Sequence, residues 1–416
     1  MALALASSTA AGALELPVGT RLSIRLTTRV SSRASHPGET IGAVLIAPVE
    51  VAGRLVLPAG NTVRGTVRDV EKQHGRASLR LDFSELIDED GGALPIDSRV
   101  TSIEDSRESV TEDGRIVGFR PMRRLPSPFV AFVMLVADVE PVVIGVFAAA
   151  RLVLRALQHP AIDYPPGVEL TLALMAPVEI AEPAPWVPLP AADSALSAFV
   201  QALPFRTQSA KHHTDSDVTN LLFVGSEAQV AAAFAGAGWT RARSMGIRAR
   251  LRGLVALATR RSYKAAAVSR QELESLPPDL VFQKQNNTLA KRHHVRIWKY
   301  CQGPRGETVW VGAATHDVAI AFDRQHHAFT HRIDPRIDFE REKIVNDLRL
   351  TGQVASVSLV DRDDAPPITE GTGVAAMETD GRMAVLVLRP PAAAAVAAGI
   401  PTAEGRLPGG DTSRRE

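Results

Sequence analysis

Apolar positions in residues 16–105 fall on every second residue. Leu22, Ile24 and Leu26 alternate with Arg21, Ser23 and Arg25, the period-two pattern of a strand buried on one face. Val63, Gly65 and Val67 alternate in the same way, as do Leu79, Leu81 and Phe83. Pro17-Val18-Gly19, His36-Pro37-Gly38 and Pro58-Ala59-Gly60 mark turns between the runs. Short strands with regular turns predict a small β-barrel or sandwich. The pattern then echoes itself. Leu16-Pro17-Val18-Gly19 leads into Leu22, Ile24 and Leu26, and Tyr164-Pro165-Pro166-Gly167 leads into Leu170, Leu172 and Leu174. The echo predicts two similar strands closing one β-domain over residues 15–180, with residues 106–160 inserted.

The insert holds the most apolar stretch, Phe129 to Leu157, predicted to be helical. Asp138, Glu140 and Pro141 sit near its middle. Each acid would cost about 2.5–3.5 kcal/mol at a bilayer centre, so a hairpin packed on the barrel or dipping into a membrane surface is expected rather than a span. Pro183, Pro185, Pro188 and Pro190 make residues 181–196 a stiff linker. Beyond it, over 197–389, strand and helix periods mix. Strands are expected at Val218–Val224, Asp279–Gln283, His293–Tyr300, Thr308–Phe322, Val354–Val360 and Met383–Leu388. Helices are expected at Glu227–Ala237 under a Ser226 cap, along the 247–258 face, and from Pro335 to Leu350. The fold class is α+β multidomain, its second domain a sandwich on a mainly antiparallel sheet. The Pro/Ala/Gly-rich end, 390–416, is expected to be disordered.

Composition narrows the function classes. Hydrophobic residues are 45% and charged residues 22%, enough for a core, and the net charge of +1 excludes a globally basic coat protein. A single cysteine, Cys301, excludes an internal disulfide framework. Residues 1–14 are small and apolar like the cleavage end of a signal peptide, without its positive start. Export to the periplasm or membrane association is expected, cytoplasmic residence being the alternative. No Gly-x-Gly-x-x-Gly, Walker A, Gly-x-Ser-x-Gly or His-Glu-x-x-His motif occurs.

Three constellations carry candidate chemistry. On a strand, Arg292, His294, Arg296 and Trp298 share one face and His293, Val295 and Ile297 the other. Two guanidiniums and an imidazole suit a phosphate or carboxylate; a solvated basic face is the structural alternative. His331, Asp334, Asp338, Glu340 and Arg341 form the second group. His331, Asp334 and Asp338 have the donor types of a divalent-cation site or of an acid–base pair. A helix start capped by Asp334 before Pro335 explains the same residues, and none is assigned to a metal. The third is the acid-free run from Arg241 to Arg270, a candidate membrane-surface helix over 244–261. It lacks the aromatics that single-stranded nucleic acid requires, and no nucleic-acid partner is expected. His293, His294, His331, Asp334 and Asp338 are thus the candidate catalytic residues. Arg292, Arg296, His316 and Arg341 are the candidate ligand-binding ones. His294, Arg296, His331 and Arg341 are predicted to line a single cleft at the start of the 335–350 helix, with Asp334 and Asp338 orienting those bases. The sequence leaves the cofactor open.

Residues 197–350 resemble the LssY C-terminal-domain family of bacterial envelope-associated proteins. The matching runs are Leu221–Ser226 with Ala237-Gly238-Trp239, Asp279–Lys284, Arg292–Trp298, Val309–Thr315 and Thr330–Arg341. The resemblance implies no settled activity. Family domains also occur beside DedA-like or type-2 phosphatidic-acid-phosphatase-like membrane domains, which implies lipid-phosphate or envelope work. His316 departs from the family pattern, which leads one to expect an aromatic there. The β-domain more loosely resembles N-terminal modules of exported bacterial proteins, through Pro58-Ala59-Gly60 and Leu79–Phe83. The function expected is an envelope protein binding an anionic, phosphate-bearing small molecule or lipid surface. The alternatives are a phosphate-ester hydrolase using the His/Asp set, or a protein-interaction module.

Overall fold

A computed structural model describes residues 14–51, 54–73, 76–88, 91–119, 161–180, 192, 194–210, 213–242, 271–284, 286, 288, 291–323, 328–363 and 377–389. The leader, the apolar stretch 129–157, most of the linker, the basic segment 244–261 and the tail fall outside them. Among the described residues, no helix is long and apolar enough to cross a membrane.

The alternating N-terminal runs are strands of one antiparallel, barrel-like sheet. We number them β1 (Arg21–Leu26), β2 (Thr40–Leu45), β3 (Thr62–Gln73), β4 (Arg76–Ile87), β5 (Ser98–Ile103), β6 (Arg115–Val117) and β7 (Glu169–Leu174). Their order is β5-β7-β1-β2-β3-β4-β6. The two echoing runs lie side by side, Leu170 opposite Ile24 and Leu172 opposite Leu22. The chain closes the barrel where Ile96 N–H donates to Ser84 O at 2.9 Å and Ser98 Oγ to Phe83 O at 2.7 Å. Leu22, Ile24, Val63, Leu79, Phe83 and Leu172 fill the interior. Gly65 permits the β3–β4 bulge, since a Cβ there would stand 2.2 Å from Asp82 O. Residues 106–119 belong to this barrel, with Ser109–Val110 and β6 extending its edge. The expected insert therefore begins too early.

The second part has its own core. Its sheet contains β8 (Leu221–Val224), β9 (Leu280–Lys284), β10 (Arg292–Gln302), β11 (Thr308–Asp323), β12 (Ala328–Ile333), β13 (Val354–Asp361) and β14 (Arg382–Leu388). The order is β9-β10-β11-β8-β14-β13, with β12 paired to the far end of β11. All ladders are antiparallel except β8–β14. The expected Val218–Val224 strand is two strands, Asp215–Val218 and β8, which lie in different sheets.

Among the described residues, three helices complete this part: α1 (Ser194–Gln201), α2 (Glu227–Gly236) and α3 (Ile337–Leu350). Ser226 and Gln229 form a capping box at the start of α2. Helices α2 and α3 bury Phe234, Ile344 and Leu348 against Val295, Ile297 and Trp310 on one sheet face. On the other face Val200, Leu203 and Leu273 pack against Trp298, Val311 and Val385. The central strands are therefore covered on both sides, and neither face of β10 is a solvent face.

Candidate functional site

Strand β10 sends His293 towards α3 and His294 the opposite way, as the strand period requires. The register sets His293 opposite His316 and His294 opposite Thr315. The His293 and His316 rings stack, centroids 4.1 Å apart and planes at 18°. One turn into α3, Glu340 reaches back, and its Oε2 lies 2.6 Å from His293 Nδ1. The β-domain supplies the rest. Strand β5 ends in a turn at Glu104-Asp105, where Asp105 adopts φ 48°. Glu104 N–H donates to Glu169 O at 3.0 Å, and Asn286 Nδ2 donates to Glu104 O at 3.2 Å. The turn is thereby held against the second domain.

His293 Nε2 lies 3.3 Å from Glu104 Oε1 and 3.5 Å from Asp105 Oδ2. His316 Nε2 lies 3.0 Å from Asp105 Oδ1 and 3.6 Å from Glu104 Oε1. His293 and Asp105 are buried. Burial alone would drive the His293 imidazole to its neutral form, but Glu340, Asp105 and Glu104 outweigh it and hold its pKa well above the usual value. Burial likewise opposes the charge of Glu104, and His293, Lys343 and His316 outweigh it, lowering that pKa to about 2.

These groups open onto a cleft of about 370 Å³ between the two domains. Ser23, Ile46, Ala47, Leu170 and Thr171 line it from the barrel, and Asp334, Arg336, Phe339 and Lys343 from around α3. Three of its lining residues, Glu169, Lys343 and Asp347, belong to a buried ionic cluster. Arg25 pairs with Glu169 and Asp347. Lys284 pairs with Glu169 at 2.6 Å and Asp347 at 3.1 Å. Lys343 pairs with Glu169, and Trp239 Nε1 donates to Asp347 Oδ2 at 2.8 Å.

The predicted site residues separate. His293 and His316 meet in the cleft. Asp334 also lines it, but its carboxylate is engaged by Arg336, accepting from the backbone N–H at 3.0 Å and from the guanidinium. Helix α3 begins at Ile337, with Arg336 at the cap position and no side-chain cap bond, so Asp334 orders the preceding turn and is not the cap. Asp338 and Arg341 share a helical face, as expected, but that face meets the 379–382 turn. Asp338 accepts from Asp380 N–H at 2.6 Å and from Thr379 Oγ1 at 3.0 Å. Arg341, almost fully buried, pairs with Asp380 at 2.6 Å. Neither lines the cleft.

Arg292, His294 and Arg296 lie on the other side of the sheet and are buried. Arg292 pairs with Asp317 at 2.9 Å and Arg296 with Asp217 at 2.7 Å, while His294 Nε2 lies 2.7 Å from Thr315 Oγ1. The expected anion-binding face is an internal polar layer, and His293 and His294 cannot share a site. The backbone of His331 pairs with Ile320; its side chain lies outside the described residues, as do His326 and His327. Sequence reasoning missed Glu104, Asp105, Glu169 and Lys343. Its one usable signal was the imidazole at 316, where the family pattern leads one to expect an aromatic.

The architecture is a β-barrel module joined across a polar cleft to a three-layered α+β domain. Residues 200–383 of that second domain match the family model described as the LssY C-terminus, and this part of the chain resembles that family. Among solved structures, the chain shows a distant likeness to ComB10 of the Com Type IV secretion system of Helicobacter pylori. That likeness has a TM-score of 0.24 and 10% identity, covers 41% of this chain and 92% of that one, and carries no argument here. No curated protein matches the chain.

Proposed function

We propose that this LssY-like protein works through the interdomain cleft, where it binds a small phosphate-bearing anion. The observation behind this reading is the ionic cluster from which Lys343 reaches the cleft. Three cations, Arg25, Lys284 and Lys343, share two carboxylates, Glu169 and Asp347, in direct ion pairs. Buried charge is tolerated when it is compensated; within the direct ion pairs the cations exceed the carboxylates by one, and Glu104 acts on Lys343 from the same cleft. Lys343 opens from this cluster into the cleft, and a lysine ammonium is a point-charge partner for phosphate. The basic face of β10 is not part of this reading, because Asp317 and Asp217 neutralise its guanidiniums.

Calorimetric titration of the full chain with inorganic phosphate tests the proposal, alongside flotation with vesicles containing phosphatidic acid. Phosphate heat without flotation identifies a soluble ligand, and flotation that phosphate competes away identifies a lipid headgroup. Lys343→Met breaks the buried pair with Glu169, so some loss of melting temperature is expected, and phosphate binding by the protein that remains folded should fall at least tenfold. Binding unchanged in Lys343→Met, or no response to either probe, overturns the proposal.

A further inference from the structure

We propose that Glu104, Asp105, His293 and His316 are the ligands of one divalent ion of the zinc class, held between the β-barrel and the LssY-like domain. This goes beyond the anion reading and stands without it. One ligand atom from each of the four residues lies within 4.8 Å of the other three. The imidazole-to-carboxylate separations are 3.0, 3.3, 3.5 and 3.6 Å. A tetrahedral zinc centre with bonds of about 2.1 Å places its ligand atoms about 3.4 Å apart. The four imidazole-to-carboxylate separations, two of them to different oxygens of Asp105, bracket that edge length.

The polar bookkeeping points the same way. Asp105 Oδ2 and His293 Nε2 are buried, face each other at 3.5 Å, and have no hydrogen-bond partner. Each residue is only 4% exposed. Buried polar atoms in native proteins are nearly always satisfied, so two facing orphans call for a third body between them. A metal ion satisfies both.

The second sphere is also in place. A metal-bound histidine typically donates its other ring N–H to a carboxylate, which fixes the tautomer and aims the remaining lone pair at the metal. Glu340 stands at His293 Nδ1, 2.6 Å away. With Nδ1–H donated there, a metal ion displaces the proton from Nε2, and the freed lone pair faces Asp105 and Glu104. Two imidazoles and two carboxylates form a mixed donor set that suits borderline ions better than calcium or magnesium. The histidines come from β10 and β11 and the carboxylates from the barrel rim, so the shell is complete only when both domains are in place.

The test uses the full chain, dialysed against chelator and then titrated with Zn²⁺ in phosphate-free buffer. Co²⁺ serves as a spectroscopic probe. One ion per chain is expected, with the visible absorption of four-coordinate cobalt. Glu104→Gln is the gentlest ligand change, because that side chain is 38% exposed; it and His316→Ala should each weaken binding at least tenfold. Glu340→Gln, a positioning change, should weaken it about 10–100-fold and alter the cobalt spectrum. Absence of stoichiometric binding at millimolar ion overturns the proposal. So does binding that Glu104→Gln and His316→Ala leave unchanged. Phosphate titrated with chelator present reports on the anion reading separately, so either proposal can fail alone.

Discussion

The two faces of β10 carry similar residue types and do different things. On one face, among the described residues, Arg292 and Arg296 are each paired with a carboxylate, Asp317 and Asp217. On the other face His293 and His316 meet Glu104, Asp105 and Glu340, two imidazoles against three carboxylates. The first face lies inside one domain; the second is completed by another domain and opens onto a cleft. A buried charge set that closes on itself serves the fold. One left with an excess of carboxylates and facing orphan atoms has room for a further charge.

Cutting the closed face should have the largest effect. Arg296→Ala leaves Asp217 buried without its 2.7 Å partner, and breaking a buried pair costs about 3–5 kcal/mol. Chemical denaturation should show that loss, with any ligand affinity of the remaining folded protein unchanged. Stable Arg296→Ala protein that has lost phosphate binding would instead restore the basic face as the site.

Cutting the ionic cluster at the cleft should cost somewhat less. Glu169→Gln leaves Arg25, Lys284 and Lys343 gathered around Asp347 alone, an expected loss of about 3 kcal/mol. Adding Lys343→Met should recover part of it, a coupling that a double-mutant cycle measures. Burial works against the Glu169 charge, but Lys343, Lys284 and Arg25 outweigh it and hold the pKa well below the ordinary 4.5. The folded state then binds fewer protons than the unfolded state through the acid range. The cluster's contribution is complete above about pH 4.5 and is lost as pH falls below that. Melting temperature should stay level from pH 7 to 5 and drop on further acidification, and Glu169→Gln should flatten that acid limb.

The contrast also shows what the sequence could and could not disclose. The alternation in 292–298 assigned His293 and His294 to opposite faces, and the register agrees. It could not tell which face meets solvent, because period two records only that the faces differ, and here both are covered. The acid opposite Arg292, at 317, was a local hint of internal pairing. His316 and Asp105 are 211 residues apart, and no local pattern links a barrel turn to a strand in another domain. On α3 the offsets 338 and 341 were correctly placed on one face, and the two side chains meet at 3.1 Å. That face turns towards Asp380, while residues 336, 340 and 343 look into the cleft. Helical spacing fixes which residues lie together, and the tertiary packing decides what they meet.

Asp334 gives the smallest expected effect and the finest test. It lines the cleft, yet its carboxylate is turned to the backbone and guanidinium of Arg336. Burial raises its pKa, and the Arg336 bonds outweigh that and lower it, so the group is a settled anion with a partner. Removing such a turn-ordering bond should cost about 0.5–1 kcal/mol, by analogy with helix-cap losses. Asp334 is absent from the four-residue donor set, so Asp334→Ala should leave zinc stoichiometry and the cobalt spectrum unchanged. If its melting temperature falls by only a few degrees while zinc affinity drops tenfold, the coordination shell must include the α3 side of the cleft. The boundary between the closed and open faces would then have to be redrawn to take in Asp334.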